Sequence, residues 1–143
     1  MPIPDFIREL RGSVGTRLLF LPGVVCVVFD DDGRVLLGRR SDTGRWALVS
    51  GIPNPGEQPA QTAVREVREE TAVDVVPERI VAVQTSRPVV YPNGDRAQYM
   101  DIVMRCRAVG GTARVNDEES LEVGWFALDA LPEGLGDLAA SRL

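Results

Sequence analysis

The apolar residues of this chain follow two different periods, which predicts both strands and helices. Continuous apolar runs rich in β-branched residues are typical of buried strands. Such runs predict strands over 24–29, 34–39, 73–76, 79–85 and 98–108, and a further strand after the acidic residues within 116–127. Proline interrupts the pattern twice, at Pro22-Gly23 before the first strand and at Pro77 between the third and the fourth.

The stretch from Gly51 to Val73 contains the clearest amphipathic helix. Its apolar stripe recurs at offsets of three and four and consists of Ala60, Ala63, Val64, Val67 and Thr71. A shorter helix is predicted over about 4–11, ended by Gly12 and Gly15, and a last helix between 128 and 143. Strands on either side of one long helix predict an α/β or α+β fold.

Two polar segments are typical of β-turns. The segment from Asp30 to Gly33 ends in Asp-Gly, which supplies the positive φ that tight hairpins need. A turn explains its three consecutive aspartates better than a metal site does. The Pro-Asn-Gly sequence between Tyr91 and Asp95 predicts a second turn, just before the strand over 98–108.

The composition narrows the chemistry that the chain can perform. Histidine is absent, which excludes Ser-His and Cys-His catalysis and histidine-ligated zinc. All 16 basic residues are arginine, so a lysine nucleophile is excluded as well. The net charge of -5 argues against a nucleic-acid polymer as the partner. Acid–base work therefore falls to carboxylates, tyrosines or metal-bound water.

Length and cysteine usage indicate the class of protein. A chain of 143 residues predicts a single domain, 1–143, with a hydrophobic core of its own. Cys26 and Cys106 lie inside apolar runs, so we predict reduced core residues in a cytoplasmic protein. The N-terminal segment lacks the pattern of a signal peptide, and no apolar run approaches the about 20 residues that span a bilayer. No membrane partner is expected.

Three carboxylates lie close together on the long helix. Glu66, Glu69 and Glu70 occupy positions i, i+3 and i+4, where like charges repel one another and destabilise a helix. Solvation and pairing with Arg65 and Arg68 are one explanation of the cluster. A divalent cation is the other, since Mg²⁺ prefers clustered carboxylate oxygens and often bridges them to substrate phosphates.

The spacing of this stretch resembles the Nudix box of the MutT-like hydrolases. That motif is G-x5-E-x7-R-E-U-x-E-E-x-G-U, where U is a bulky aliphatic residue. The positions that match it are Gly51, Glu57, Arg65, Glu66, Val67, Glu69, Glu70 and Val73. Ala72 stands where the family has its last glycine, and Val49 and Ser50 stand where proline and glycine are common before the box.

The resemblance covers about residues 18–133 and implies a fold. A Nudix-type α/β/α sandwich is expected, with a mixed sheet packed around the box helix. The segment 36–51 is similar to the family segment that leads into the box, in which the tryptophan, here Trp46, packs beneath it. An alanine at position 72 would be strained if that position needs positive φ.

The resemblance also implies a metal-dependent pyrophosphohydrolase. Glu66, Glu69 and Glu70 are the expected catalytic residues and metal ligands, with the Ser50 carbonyl and Glu119 as further ligands to Mg²⁺ or Mn²⁺. Glu118 is the second choice for the acidic ligand after the box, and which carboxylate acts as the base stays open. The residues expected to support the site structurally are Gly51, Glu57 and Arg65.

Several small molecules share the diphosphate that a Nudix box handles. Expected substrates include nucleoside triphosphates, oxidised nucleotides, ADP-ribose and nucleotide sugars. The candidates for substrate contact are Arg39, Arg45, Arg87, Tyr91 and Arg96. The alternative is a catalytically weak Nudix-fold module that binds or senses a nucleotide, and a homodimer is left open.

Overall fold

The computed structural model describes residues 3–135, and within them lie two helices and eight strands. The helices are α1 (Asp5–Val14) and α2 (Pro59–Thr71). The strands are β1 (Leu19–Phe29), β2 (Val35–Arg40), β3 (Trp46–Ala47), β4 (Val49–Gly51), β5 (Asp74–Thr85), β6 (Val89–Val90), β7 (Arg96–Gly110) and β8 (Ser120–Phe126).

All eight strands belong to one mixed sheet. Its main path runs β3-β2-β1-β7-β5, while β4 also pairs with β1, β6 with β7 and β8 with β2. The central pair, β1 and β7, is parallel and in register from Leu19 opposite Ala97 to Phe29 opposite Arg107. The other pairs are antiparallel.

The two helices pack on opposite faces of the sheet. Alternate side chains of a strand point to opposite faces. Val24, Cys26 and Val28 of β1 share a buried cluster with α2, whereas Val25 and Val27 belong to a second cluster on the other face. Ile7 of α1 packs with Leu21. Leu21 is four residues before Val25 in β1, so both side chains point to the same face of the sheet. The predicted α/β/α sandwich with a mixed sheet is therefore confirmed.

Both prolines expected to interrupt strands lie inside them. Pro22 pairs with Met100 of β7, and the β4 pairing on the other side of β1 begins only at Val24. A missing N–H is tolerated there because no described strand pairs with that edge at Pro22. At Pro77, β5 continues through a shift in register rather than ending.

The remaining differences from the predictions are local. Helix α1 continues through Gly12 and ends at Val14, followed by Gly15 at φ 62°. Trp46 packs edge-to-face on Phe126, with ring centroids 4.9 Å apart, in the cluster on the face opposite α2. Residues 128–135 form turns and irregular structure, and the remainder of the predicted last helix lies outside the described residues.

Other predictions agree with the structure. Asp30 closes the β1–β2 turn by accepting hydrogen bonds from the N–H groups of Asp32 and Arg34 through its Oδ1. Cys26 and Cys106 are buried free thiols, as expected of reduced core residues. Neither helix found in residues 3–135 is long and apolar enough to cross a membrane.

Candidate metal and catalytic site

Helix α2 begins with a side-chain cap and presents its carboxylates next to β4. Pro59 occupies the first turn, where its missing N–H costs nothing. Gln58 and Gln61 form a reciprocal capping box, in which the Gln58 N–H donates to Gln61 Oε1 at 2.8 Å. These contacts fix the start of the helix and therefore the angular position of the glutamates that follow.

Gly51 provides the space that buries Glu66. A Cβ atom at position 51 would lie 2.2 Å from Glu66 Cδ, so only glycine allows this carboxylate to lie against the strand. Glu66 is 1% exposed. Its Oε1 accepts a hydrogen bond from Arg65 Nη1 at 2.8 Å, and its buried Oε2 has no hydrogen-bond partner among the described residues. Burial raises the pKa of Glu66, and the charge of Arg65 opposes that shift.

Arg65 connects the loop before the helix to the carboxylates. Its Nε and Nη2 donate to the two oxygens of Glu57 at 2.8 and 2.9 Å. The same guanidinium reaches Glu66 and, at 3.4 Å, Glu69. The paired arginine lowers the pKa of Glu57 to about 2. The loop from Gly51 to Gln58 is thus held to the helix by a bidentate ion pair.

A second group of carboxylates meets at the other end of the same helix. Glu70, Asp117 and Glu119 each place an oxygen within 4.8 Å of the others. Burial, followed by the nearby charge of Glu66, raises the pKa of Glu70 to about 8. Burial also raises the pKa of Asp117, whose buried Oδ2 has no hydrogen-bond partner within residues 3–135. Like charges gathered in a poorly solvated place are costly unless a cation neutralises them.

Arg40 lies in the cleft that these carboxylates border. The cleft has a volume of about 30 Å³, and its lining includes Arg40, Ser50, Glu70 and Glu119. Arg40 is held by Asp42, which accepts hydrogen bonds of 2.9 and 2.7 Å from Nε and Nη2. The cleft thus combines carboxylates that suit a cation with one guanidinium that suits an anion.

The structure brings together some of the sequence-predicted ligands and leaves others apart. Glu70, Glu119 and Ser50 border one cleft. Glu69 pairs with Arg65 at 3.4 Å and lines a different groove, together with Arg68. Glu118, the second choice of acidic ligand, is exposed.

The lining of the cleft that contains Glu70 and Glu119 includes none of the five candidates for substrate contact, as far as the described residues go. Arg39 pairs with Glu122 at 3.1 Å, and Arg45 and Arg87 are exposed. The Tyr91 hydroxyl is hydrogen-bonded to that of Tyr99. Arg96 donates to the Thr16 carbonyl at 3.3 Å.

Sequence reasoning missed Asp117 and Arg40. Arg40 lines the cleft, whereas its neighbours Arg39 and Arg45 do not. The sequence signal for Asp117 is its position in the run 117–119, in which each of three consecutive acidic residues is a candidate for the metal ligand after the box. Which of these side chains points inward depends on how the loop packs against α2.

The residues of the cluster fit a divalent metal ion. Carboxylate oxygens are the ligands that hard cations prefer. In the part of the chain that the structure describes, two buried carboxylate oxygens, Glu66 Oε2 and Asp117 Oδ2, have no hydrogen-bond partner, which is costly in a folded protein. A bound cation would satisfy oxygens of this kind.

Known proteins resemble the chain in both sequence and fold. A model of the Nudix domain matches residues 19–142. A MutT-like protein from Streptomyces ambofaciens is 35% identical, over 84% of this chain and 72% of that protein. A human protein named 8-oxo-dGDP phosphatase is 30% identical over 78% of this chain, which spans 34% of the human protein. The crystal structure of a MutT Nudix hydrolase from Burkholderia pseudomallei has a TM-score of 0.66 at 26% identity, covering 87% of this chain and 95% of that one.

With the fold and the box in place, the chain belongs to the Nudix hydrolase family, as the spacing of its carboxylates predicted. Hydrolases of this family act on phosphoric anhydrides in derivatives of nucleoside diphosphates and generally use a divalent metal ion. The acidic cluster at the end of α2 is consistent with that requirement.

Proposed function

We propose that the protein is a metal-dependent pyrophosphohydrolase that cleaves the diphosphate of a nucleoside diphosphate derivative. The observation that supports it most is the meeting of Glu70, Asp117 and Glu119 within 4.8 Å, beside the guanidinium of Arg40. A cation site next to an anion-binding side chain is what a metal-bound diphosphate requires.

The metal ion in this proposal is Mg²⁺ or Mn²⁺. Glu70, Asp117 and Glu119 would hold it, with Glu66 and the carbonyl of Ser50 as further ligands. When bound, the ion would activate water and neutralise charge on the phosphates. Glu69 keeps its predicted place among the catalytic carboxylates, as either a ligand or a base.

The chain's own residues would orient and balance the charges around the substrate. Arg40 binds a phosphate oxygen while Asp42 holds its guanidinium in place. Arg65 keeps Glu66 against Gly51 and ties the preceding loop to the helix through Glu57. Both contacts position groups before the substrate arrives, which lowers the barrier to reaction.

The site and the relatives support a proposal for the class of substrate. We propose a free nucleotide or nucleotide derivative that binds to a single-domain cytoplasmic enzyme, rather than a nucleic-acid polymer. Oxidised nucleotides are the first class to test, since a human relative is named 8-oxo-dGDP phosphatase.

The proposal is tested by comparing variants of the cluster on a panel of diphosphate compounds. Phosphate or nucleotide release from 8-oxo-dGTP, ADP-ribose and a nucleotide sugar would be measured with Mg²⁺ or Mn²⁺. We expect Glu70→Gln, Asp117→Asn and Glu119→Gln each to lower kcat/KM roughly 100-fold or more, because each removes a charge from the cation site.

Glu118→Gln is the matched control, because Glu118 lies in the same acidic run but is exposed. This control should retain wild-type turnover. Full activity in Glu70→Gln would contradict the proposed mechanism. Tight nucleotide binding without turnover across the panel would favour the sensing module instead.

A further inference from the structure

The segment that carries Asp117 and Glu119 has almost no regular structure of its own. Residues 111–116 are irregular and 117–119 form a bend and turn before β8 begins. Irregular segments are usually mobile, and a mobile ligand loop binds metal weakly. The spacing of the cluster must therefore be set by contacts that this segment makes with other elements.

One end of the segment caps the C-terminus of α2. The Arg114 N–H donates to the Thr71 carbonyl at 3.0 Å, and the Asn116 N–H donates to the Glu70 carbonyl at 3.3 Å. The Asn116 side chain adds a third bond, from Nδ2 to the Arg68 carbonyl at 3.0 Å. The Glu70 and Thr71 carbonyls belong to the last turn of the helix, where intrahelical partners are lacking, whereas the Arg68 carbonyl also accepts from the Ala72 N–H.

The other end of the segment is held by the loop after β2. The Ser41 N–H donates to the Glu119 carbonyl at 2.9 Å. The Ser41 hydroxyl lies 3.0 Å from the Glu119 carbonyl and 3.2 Å from the Glu118 carbonyl, and can donate to either. Ser41 directly follows Arg40, so the same loop places the guanidinium and restrains the carboxylates.

We infer that Asn116 and Ser41 are positioning residues that set the distance between Glu70 and the pair Asp117 and Glu119. Asn116 directly precedes Asp117, and its hydrogen bonds attach it to the helical turn that carries Glu70. Ser41 bonds the backbone of Glu119 itself. Because one residue lies between the two carboxylates, restraint at both ends leaves their backbone little freedom. This inference rests on the proposed function, since it concerns the metal site of that function.

The expected size of the effect comes from other proteins in which a hydrogen-bonding group holds a metal ligand in place. Loss of such a partner typically weakens metal binding about 10-fold to 100-fold, because the ligands must then be ordered when the ion binds. Neither Asn116 nor Ser41 offers a carboxylate. Their loss would therefore change metal affinity without changing the charge of the site.

The experiment measures Mn²⁺ binding to the full chain by electron paramagnetic resonance, with the thermal unfolding midpoint recorded for each protein. We expect Asn116→Ala and Ser41→Ala each to weaken Mn²⁺ binding by roughly 10-fold. Ser41→Thr retains the hydroxyl donor and should recover affinity close to that of the wild type.

The matched controls are Asn93→Ala and Ser86→Ala. Both side chains make hydrogen bonds in other parts of the described structure, Asn93 with Asp95 and Ser86 with Arg87 and Tyr99. Their removal should leave Mn²⁺ affinity unchanged. If Asn116→Ala is too unstable to study, Ser41→Ala tests the same inference, because it keeps the backbone N–H bond.

Two results would overturn the inference, and they differ from a failure of the proposed function. Unchanged Mn²⁺ affinity in both variants would show that the loop is placed without these side chains. A lowered unfolding midpoint with unchanged affinity would assign them a structural role only. Absence of Mn²⁺ binding by the wild-type protein would instead remove the metal site and the proposed function with it.

Discussion

Ala72 ends the box helix in a conformation that alanine avoids. Its φ and ψ are 62° and 14°, in the left-handed region, and its N–H donates to the Arg68 carbonyl to close the last turn. Among the described residues other than glycine, it alone has positive φ. The left-handed conformation costs an alanine about 1–2 kcal/mol, and the rest of the fold must offset that cost.

Ala72→Gly should therefore stabilise the protein. Glycine adopts this conformation without steric cost but loses more backbone entropy on folding, so we expect a net gain of about 0.5–1 kcal/mol. Urea unfolding would measure the change. Ala60→Gly, in the first turn of α2, is the control and should destabilise. A loss of stability in Ala72→Gly would show that the strain is absent.

Gly51 is required for a different reason, the close approach of a side chain. The Gly51→Ala substitution would place a methyl group 2.2 Å from Glu66 Cδ. We expect a loss of about 1–3 kcal/mol in the free energy of unfolding, since the buried carboxylate must shift.

Gly12 provides the comparison for Gly51. Gly12 lies within α1, and a Cβ atom there would meet nothing within 4 Å. The Gly12→Ala variant should gain up to about 1 kcal/mol from helix propensity. Equal effects of the two alanine substitutions in calorimetry would contradict the role given to Gly51.

At the scale of elements, the pair of Glu57 and Arg65 joins the box loop to α2. The pKa of Glu57 is lowered to about 2 from its ordinary 4.5. A carboxylate of this kind contributes stability that is present above its unfolded pKa and is lost as pH falls through its folded pKa. The stabilisation should therefore decline between about pH 4.5 and pH 2.

Glu57→Gln should remove that pH-dependent contribution. The shift corresponds to about 3 kcal/mol at neutral pH, so the wild type should exceed the variant by up to that amount. The difference should shrink towards zero as pH approaches 2 in denaturant titrations. Glu9→Gln, at an exposed position of α1, should leave the profile unchanged. If the free energies of unfolding of the wild type and Glu57→Gln differed by the same amount at every pH, the ion pair would be excluded as the source of the difference.

The elements themselves were largely predictable from local patterns. The spacing and type of the apolar residues predict both described helices and the long strands, because these signals depend on residues that are neighbours in the sequence. Pro22 and Pro77 were misread because a proline's effect depends on whether its strand edge has a partner. For Pro22 that pairing is decided by β4 and β7, and for Pro77 by β7, which are distant from these prolines along the chain.

The candidate site could be predicted from sequence only where its residues share one helix. Glu66, Glu69 and Glu70 are recognisable because their spacing is local. Asp117 comes from a distant part of the chain, and its segment meets α2 through tertiary contacts without a sequence signature, among them the capping of α2 by residues 114 and 116. Arg40 was passed over for the same reason, since β2 and β8 decide together which arginine faces the cleft.

For the molecule as a whole, metal binding and folding should be coupled. The folded state gathers carboxylates that the unfolded chain keeps apart, so an ion that binds them stabilises the fold. Mn²⁺ at 100 times its dissociation constant should raise the free energy of unfolding by about 2.7 kcal/mol.

Glu70→Gln should abolish most of this gain, and NaCl at matched ionic strength should not reproduce it. Thermal unfolding with and without Mn²⁺ measures both effects. The same gain in Glu70→Gln and in the wild type would place the ion elsewhere.

The parallel pairing of β1 with β7 also has a consequence for how the chain acquires its structure. Every partner in that pair is 78 residues away along the sequence, and α2 lies between them. Pairing over such distances requires costly loop closure and slows folding. During synthesis, α2 and its glutamates are made before β7. The box helix can therefore pack on the complete sheet only after three-quarters of the chain has been made. Its carboxylates reach their final surroundings at the same stage.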